Sequence, residues 1–256
     1  PGNVWLPPLI GFGTVALGIP LALLLRGATG LRDERSRRTF TFAVSIYNYG
    51  YVPIPLVLSL FKGEAARNTL AVLFVHNVGV ELALWSFGLI LLGGGTLRDN
   101  WRKILNAPFF AIVLTLALNF LIGEHPVPAF IRTTAHMLGQ CAIPFGVLLI
   151  GATMADYVHE FNSAGSMRLV IVSCVLRLGI LPVLFLLLAK YLPCSLELKR
   201  IITIQAAMTA AVFPILLAKH YGGDPGTALR IVLGTSLAGF VTIPLWLRFG
   251  MKWVGL

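Results

Sequence analysis

The sequence predicts an all-α polytopic membrane protein built from inverted five-helix repeats with two crossed broken helices. Three observations favour this class: an apolar composition, two breaks in otherwise helical segments, and an internal similarity between the two halves of the chain. The 256 residues are 57% hydrophobic and only 12% charged, and their mean hydropathy is +0.85. This composition is too apolar for an ordinary soluble domain and indicates an integral membrane protein.

Apolar stretches of about 20 residues, the length of one helical crossing of a bilayer, divide the chain into eight predicted spans. They cover roughly residues 4–25, 39–61, 69–93, 107–122, 133–154, 168–191, 198–219 and 226–247. The segments between them are too short to form a soluble domain. The lipid bilayer is therefore the expected surrounding, and the cell membrane (inner or plasma membrane) the expected location.

Although the formal net charge is +10, the basic residues lie mainly in short loops, as topology determinants do. One basic loop carries Arg26, Arg32, Arg35, Arg37 and Arg38, and a second carries Arg98, Arg102 and Lys103. Two spans separate these loops, so they face the same side, which the positive-inside rule makes cytoplasmic. Both chain ends are then predicted outside. The chain has no basic patch interleaved with aromatic residues, so no nucleic-acid partner is expected.

Residues 48–55 (NYGYVPIP) interrupt the second predicted span. Pro53 and Pro55 lack a backbone donor and disfavour helix in the residue before them, and Gly50 permits unusual backbone angles. Backbone groups freed at membrane depth must be buried in protein or line a polar cavity. In transporters such breaks form the substrate site. The alternative is a proline kink without a ligand.

An internal repeat relates the two halves of the chain. Residues 55–63 (PLVLSLFKG) align with residues 214–222 (PILLAKHYG), and residues 17–20 (LGIP) resemble residues 178–182 (LGILP) at nearly the same offset. The offset covers five spans, and an odd number gives the two copies opposite orientations in the membrane. This is the inverted-repeat plan of many secondary transporters. The alternative is an eight-span protein with chance similarity in apolar sequence.

The repeat predicts two structural units. Residues 107–256 hold the complete second repeat, whereas residues 1–94 hold only the last three helices of the first. Two N-terminal helices are therefore expected to be missing from this chain.

Two antiparallel broken helices related by a pseudo-two-fold axis would cross at their breaks, near the bilayer midplane. The predicted substrate-binding residues are Asn48, Gly50, Tyr51, Pro53 and Pro55 from the first break and Gln205, Met208, Thr209 and Pro214 from the second. The Asn48 amide can offer a carboxylate both a donor and an acceptor. Alternatively, it bonds the backbone carbonyl groups that the break frees.

Ionisable residues inside spans are expensive and usually functional. Glu81 and His76, on the third span, are the candidates for proton coupling. The alternative is an ion pair between Glu81 and an arginine, for which Arg177 and Arg230 are available. No zinc-helix motif, nucleophile elbow or metal-ligand spacing is present, so neither an enzyme nor a cofactor is expected.

The pattern Asn48-x-Gly-x-x-x-x-Pro55 resembles the signature of the auxin efflux carrier family of membrane transporters. Residues 205–208 (QAAM), 218–224 (AKHYGGD) and 242–246 (TIPLW) resemble the C-terminal end of that family, and residues 143–151 (IPFGVLLIG) its seventh helix. The resemblance implies ten helices, a scaffold domain and a transport domain like those of bile acid:sodium symporters, and a substrate site where broken helices cross. The family often has proline where this chain has Thr209, so a displaced or softened second break is expected.

The expected function is therefore alternating-access transport of a small organic anion, in particular a carboxylate, and the resemblance adds malate and malonate as candidates. The alternatives are a sodium-coupled symporter of the same fold, a membrane sensor or binding subunit that does not transport, and a membrane enzyme. No sodium site is specified by carboxylates and amides, so flux indifferent to sodium is expected. The sequence predicts neither the transport direction nor the oligomeric state, and a homodimer is one of the alternatives.

Overall fold

A computed structural model describes residues 4–93, 127–157 and 166–256, together with a few positions between 110 and 118. Regular structure in these residues is helical, apart from one isolated β-bridge. Four helical stretches in the described part are long and apolar enough to cross a membrane, namely Leu6–Thr29, Gly63–Gly93, Met167–Tyr191 and Pro225–Val254. The prediction of an all-α polytopic membrane protein is confirmed.

The helices follow one another in two groups. The first group consists of α1 (Leu6–Leu25), α2 (Glu34–Ser45), α3 (Pro53–Leu60) and α4 (Gly63–Gly93). The second consists of α5 (Ala129–Tyr157), α6 (Ser166–Cys174), α7 (Leu181–Tyr191), α8 (Leu196–Ala206), α9 (Phe213–Tyr221) and α10 (Pro225–Val254). A π-helical turn, Val175–Ile180, joins α6 to α7.

Two of the predicted spans are divided into half-helices. Span 39–61 corresponds to α2 and α3, and span 198–219 corresponds to α8 and α9. The helix α2 also begins earlier than its predicted span, at Glu34. The predicted span 107–122 lies largely outside the described residues, as do the arginines and lysine of the second basic loop.

Polar capping residues fix where two of these helices begin. Asp33 accepts a hydrogen bond from the Ser36 N–H (2.8 Å) at the start of α2. This bond lowers the pKa of the Asp33 carboxyl group, because it stabilises the ionised form. Ser195 accepts a hydrogen bond from the Leu198 N–H (3.2 Å) at the start of α8. Both half-helices therefore start at polar residues outside their apolar stretches.

A third cap joins two distant parts of the chain at one end of the bundle. Asp224 precedes α10 and accepts a hydrogen bond from the Gly226 N–H (3.1 Å). Its carboxylate also accepts one from the Ser36 hydroxyl (2.8 Å), and Arg35 Nε donates to the Gly223 carbonyl oxygen (2.8 Å). The start of α2 and the turn after α9 therefore lie at the same end, so the two broken spans run antiparallel.

Glycines allow α1 and α4 to pack with their backbones in contact. A methyl group added at Gly79 would lie 1.7 Å from the Pro8 carbonyl oxygen, and one added at Gly11 would lie 2.1 Å from the His76 carbonyl oxygen. Small residues at helix contacts let membrane helices approach closely. Side chains larger than hydrogen cannot be placed at these positions without separating the helices.

We expect Gly79→Ala to lower the thermal unfolding temperature of the detergent-solubilised protein, because its methyl group meets backbone that must move. Overpacking of this kind costs about 1–3 kcal/mol of the free energy of unfolding. Gly13→Ala on α1 is the matched control, since no other described part of the protein lies within 4 Å of its added methyl group. Equal unfolding temperatures for the two variants would contradict the close packing of α1 and α4.

The two broken spans form the centre of the described structure. Residues 39–47 and 201–211 are buried at every position. By contrast, the side chains of α5 whose burial is described are exposed, and its main contact is with α10. Among the described residues, a packed body therefore contains both breaks, and α5 lies at its side.

Candidate functional site

Both predicted breaks are present. The first covers residues 46–52, between α2 and α3, and the second covers residues 207–212, between α8 and α9. Pro53 and Pro214 lie in the first turns of α3 and α9, where a missing backbone N–H costs nothing. Each proline therefore starts the second half of its span.

The two breaks pair with each other in an antiparallel β-bridge, in which Tyr47 faces Ala210. The Asn48 N–H donates to the Thr209 carbonyl oxygen (2.9 Å), and the Ala211 N–H donates to the Ile46 carbonyl oxygen (2.9 Å). Each break thus supplies hydrogen-bond partners for backbone groups of the other break, which lipid cannot do. We term this place, where residues 46–52 meet residues 207–212, the crossing.

Thr235 on α10 satisfies one further backbone group of the second break. Its hydroxyl is fully buried and accepts a hydrogen bond from the Ala210 N–H (3.3 Å). The same hydroxyl donates to the Ile231 carbonyl oxygen of its own helix (2.8 Å). The helix α10 therefore supports the crossing from one side.

Replacing Thr235 by valine is expected to destabilise the protein by about 1–3 kcal/mol, because the buried Ala210 N–H loses its acceptor. The control is Thr41→Val on α2, a buried threonine whose hydroxyl bonds the Arg37 carbonyl oxygen within its own helix (3.0 Å). Thermal unfolding in detergent measures both variants. A loss in Thr41→Val as large as in Thr235→Val would refute the support of the break by the Thr235 hydroxyl.

Amide side chains from three elements converge on the first break. Asn77 Nδ2 and Gln205 Nε2 both donate to the Tyr49 carbonyl oxygen, at 2.9 and 3.3 Å. Asn48 Oδ1 accepts a long hydrogen bond from the Val52 N–H (3.4 Å) at the start of α3. The Asn48 side chain therefore bonds a backbone N–H of the break rather than the freed carbonyl groups, because its side-chain nitrogen donates to no described residue.

The two candidates for proton coupling are connected to the crossing through Tyr49. The Tyr49 hydroxyl donates to Glu81 Oε1 (2.6 Å), and Trp85 Nε1 donates to Glu81 Oε2 (3.1 Å). His76 is fully buried, and its Nδ1 lies 3.3 Å from Oδ1 of Asn77, which in turn bonds the Tyr49 backbone. Glu81 thus bonds the first break directly, whereas His76 is connected to it through Asn77.

The alternative of an ion pair between Glu81 and Arg177 is wrong. In the described part of the chain, the partners of the Glu81 carboxylate are Tyr49 and Trp85, whereas Arg177 donates to backbone carbonyl groups. Glu34 forms ion pairs with Arg26 and Arg38, outside the apolar spans.

The remaining predicted site residues divide into an accessible and a buried set. Tyr51 is 42% exposed, Pro55 is exposed and Gly50 is half-buried. The buried set consists of Pro53, Gln205, Met208, Thr209 and Pro214. Gln205 Oε1 has no hydrogen-bond partner among the described residues. The predicted site residues that a solute can reach therefore come from the first break and the start of α3. Those from the second span are buried beneath them.

Arg177 contacts the crossing, a position that the sequence did not predict. It lies in the π-helical turn and is fully buried, with Nε donating to the Met208 carbonyl oxygen (2.9 Å) and Nη2 to the Gln205 carbonyl oxygen (3.2 Å). Its guanidinium carbon lies 5.0 Å from the centre of the Tyr47 ring and 5.3 Å from that of Phe185. In the sequence, Arg177 stands out as a lone arginine inside an apolar span. That position indicates a functional residue but does not predict which groups the arginine contacts.

A cavity of about 720 Å³ lies away from the crossing, between the starts of α1 and α8 and the first half of α4. Its lining is mostly apolar and includes Leu6, Val72, Val75, Leu198 and Lys199. None of the predicted substrate-binding residues lines it.

The sequence profile of a family described as membrane transport protein matches residues 95–247. This range takes in α5 to α9 and most of α10, and hence the second break with Gln205, Met208 and Thr209. Asn48 and the rest of the first break precede it. A search of curated proteins finds no match to the chain.

Proposed function

Because the chain belongs to the membrane transport protein family of auxin efflux carrier-like transporters, we propose that it is a secondary transporter for a small organic anion. The chain is a multi-pass integral membrane protein, and family membership supports membrane transport as its function. The proposed anion is a carboxylate, moved across the cell membrane by alternating access. The proposed substrate site is the crossing.

The observation that carries this proposal is the pairing of the two breaks. The second half-helices, α3 and α9, begin directly after residues 46–52 and 207–212, so their N-terminal ends lie at the crossing. Helix N-termini carry partial positive charge, which stabilises anions. A carboxylate bound there gains from both dipoles, and the Asn48 side-chain nitrogen supplies a directional donor.

The order of helices supports the inverted repeat as part of the proposal. In both groups, an unbroken or π-bulged span precedes a broken span, and an unbroken span follows it. These series are α1, α2/α3 and α4, and then α6/α7, α8/α9 and α10. Their broken members run antiparallel, as copies of opposite orientation require.

The contrast between the packed body and α5 supports a moving part and a static part. The bridge between Tyr47 and Ala210 ties the broken spans together, so they move as one unit. The helix α5, whose described side chains are exposed, is then an element of the scaffold against which this unit rocks or slides. Alternating access by such a motion moves the crossing between the two sides of the membrane.

Proton coupling is the proposed driving force, with Glu81 as the proton carrier. Tyr49 bonds Glu81 through its hydroxyl and lies next to Asn48, so a change in the Glu81 charge is transmitted directly to the crossing. His76 is the second candidate.

Counterflow in proteoliposomes tests the proposal. Vesicles loaded with an unlabelled carboxylate are expected to take up the same labelled carboxylate saturably, with a panel of mono-, di- and aromatic carboxylates covering the substrate class. Organic amines of similar size are the control and are expected to give no exchange. Absence of saturable exchange for every anion, in protein that is demonstrably folded, would overturn the transporter.

Other outcomes of the same experiment separate the rival functions. Saturable binding without counterflow would favour a sensor or binding subunit, and exchange that requires sodium would favour a sodium-coupled symporter. Chemical conversion of a carboxylate by the purified protein would favour an enzyme. Exchange that persists in the absence of sodium is the expected result.

A further inference from the structure

The C-terminal end of α8 is a site of concentrated negative potential inside the protein. The carbonyl groups of Gln205 and Met208 lie where α8 stops, so they lack the partners four residues on that a continuing helix would supply. The Gln205 carbonyl oxygen does accept a local hydrogen bond from the Met208 N–H (3.2 Å). The helix dipole places partial negative charge at the same end. In membrane transporters, carbonyl groups at such ends coordinate the coupling cation.

In this protein the two carbonyl oxygens are bonded by Arg177. Nε and Nη2, which form one edge of the guanidinium group, donate to Met208 and Gln205 at 2.9 and 3.2 Å. This edge is the part of arginine that binds two acceptors at once. The side chain is fully buried, so water does not compete for the two oxygens.

The charge of Arg177 is balanced without a carboxylate in the described part of the chain. Glu81, the acidic residue nearest the crossing in the hydrogen-bond network, is bonded by Tyr49 and Trp85. The guanidinium group lies instead over the rings of Tyr47 and Phe185, at 5.0 and 5.3 Å, as in cation–π contacts. The remaining nitrogen, Nη1, has no hydrogen-bond partner among the described residues.

The π-helical turn explains how the arginine reaches this position. Val175–Ile180 adds a residue to one turn of the span between α6 and α7. Such π-bulges redirect side chains and occur often at functional sites. Here the turn places the guanidinium group against the end of α8, from a segment of the chain that contributes nothing else to the bridge.

We propose that Arg177 is a resident cation that fills the carbonyl site at the second break, in place of an exchangeable metal cation. The protein then carries its own positive charge at the crossing in every state of the cycle. Exchange of the anion therefore does not depend on sodium or potassium at this site. The part of this inference that concerns transport rests on the proposed function, whereas the part that concerns cation binding does not.

Thermal unfolding of the detergent-solubilised protein tests cation binding without any assay of transport. In choline chloride, Arg177→Ala is expected to unfold roughly 10 °C below the wild type, because two hydrogen bonds from a charged donor are lost. Methylguanidinium at the same ionic strength is expected to restore about half of this loss, and sodium or potassium a smaller part, by entering the vacated site.

The control is Arg168→Ala, which removes an exposed arginine from the same span. Neither this variant nor the wild type is expected to respond to methylguanidinium, sodium or potassium. An Arg177→Ala variant whose unfolding temperature is the same in all four salts would overturn the inference, because it would show that removal of the side chain leaves no cation site.

Arg177→Lys provides a second variant if the alanine variant does not fold. Lysine keeps the charge but presents a single ammonium group rather than a two-donor edge. It is expected to fold with an intermediate unfolding temperature and without a response to methylguanidinium. A lysine variant as stable as the wild type supports the requirement for a resident charge. If the lysine variant and the alanine variant are both lost from the membrane, the requirement for a resident charge is overturned.

Counterflow then tests the transport part. Wild-type exchange is expected to be unchanged when choline replaces sodium, and Arg177→Ala is expected to exchange roughly tenfold more slowly in choline and to recover with methylguanidinium. Wild-type exchange that requires sodium, or an alanine variant that exchanges normally in every salt, would overturn the inference. Failure of the wild type to exchange any carboxylate would instead overturn the proposed function, and the unfolding experiment would still decide on the cation site.

Discussion

Asn48→Ala is expected to reduce carboxylate counterflow at least about tenfold, since a hydrogen bond to a charged group contributes about 1.5–3 kcal/mol. The pairing of the breaks survives this substitution, because the bond from Asn48 to Thr209 is donated by the backbone N–H. The side-chain oxygen makes only a long bond to the Val52 N–H (3.4 Å). The substitution therefore mainly removes a hydrogen bond to the substrate. Initial rates of uptake over a range of substrate concentrations measure the effect.

Asn48→Asp separates the two roles of this residue. An aspartate keeps the acceptor for the Val52 N–H at the start of α3, but it removes the amide donor and adds a negative charge that repels a carboxylate. We expect this variant to be as stable as the wild type and as inactive as Asn48→Ala. If it exchanged carboxylates at the wild-type rate, Asn48 would serve only to cap α3, and the site would have to be sought elsewhere.

The positions of the breaks follow from local chemistry, and this is why the sequence predicted them. The prolines of residues 48–55 disfavour a continuous helix, and the structure places Pro53 in the first turn of α3. The second break was expected to be displaced or softened, because Thr209 stands where proline is common. Instead, α8 ends at Ala206, directly within the QAAM motif.

Contacts from other helices take the role of the missing proline. Arg177 bonds the carbonyl groups of Gln205 and Met208, and Thr235 accepts the Ala210 N–H. Backbone groups that are satisfied in this way gain nothing by joining a longer helix. A proline acts on its immediate neighbours and can be recognised in a sequence. Partners supplied by α10 and by the π-helical turn depend on the packing of the whole bundle.

The same limit applies to the side chains around the crossing. Glu81 was identified because a carboxyl group inside a span is unusual, yet its partners, Tyr49 and Trp85, follow from the approach of α4 to the first break. Tyr47 likewise bonds Thr14 on α1 at 2.8 Å, a contact that no local pattern predicts. Periodicity and composition therefore identify the chemically unusual residues, and only the tertiary structure shows which of them meet.

Glu81→Gln is expected to abolish the stimulation of carboxylate uptake by an imposed pH gradient while leaving counterflow at equal pH largely intact. Glutamine cannot carry the proton. It retains one acceptor oxygen for the Tyr49 hydroxyl or Trp85 Nε1, so one of the two hydrogen bonds that hold the side chain is kept. Uptake by proteoliposomes with and without the gradient, at a fixed external pH, measures the effect.

Glu64→Gln is the matched control, because it makes the same substitution at an exposed position in the first turn of α4. Its response to the gradient is expected to equal that of the wild type.

His76→Gln distinguishes the second candidate: if the gradient response survives in Glu81→Gln and disappears in His76→Gln, the proton carrier is the histidine. A response that survives in both variants would mean that neither side chain carries the proton. The link from Glu81 through Tyr49 to the crossing would then serve only to hold the first break in place.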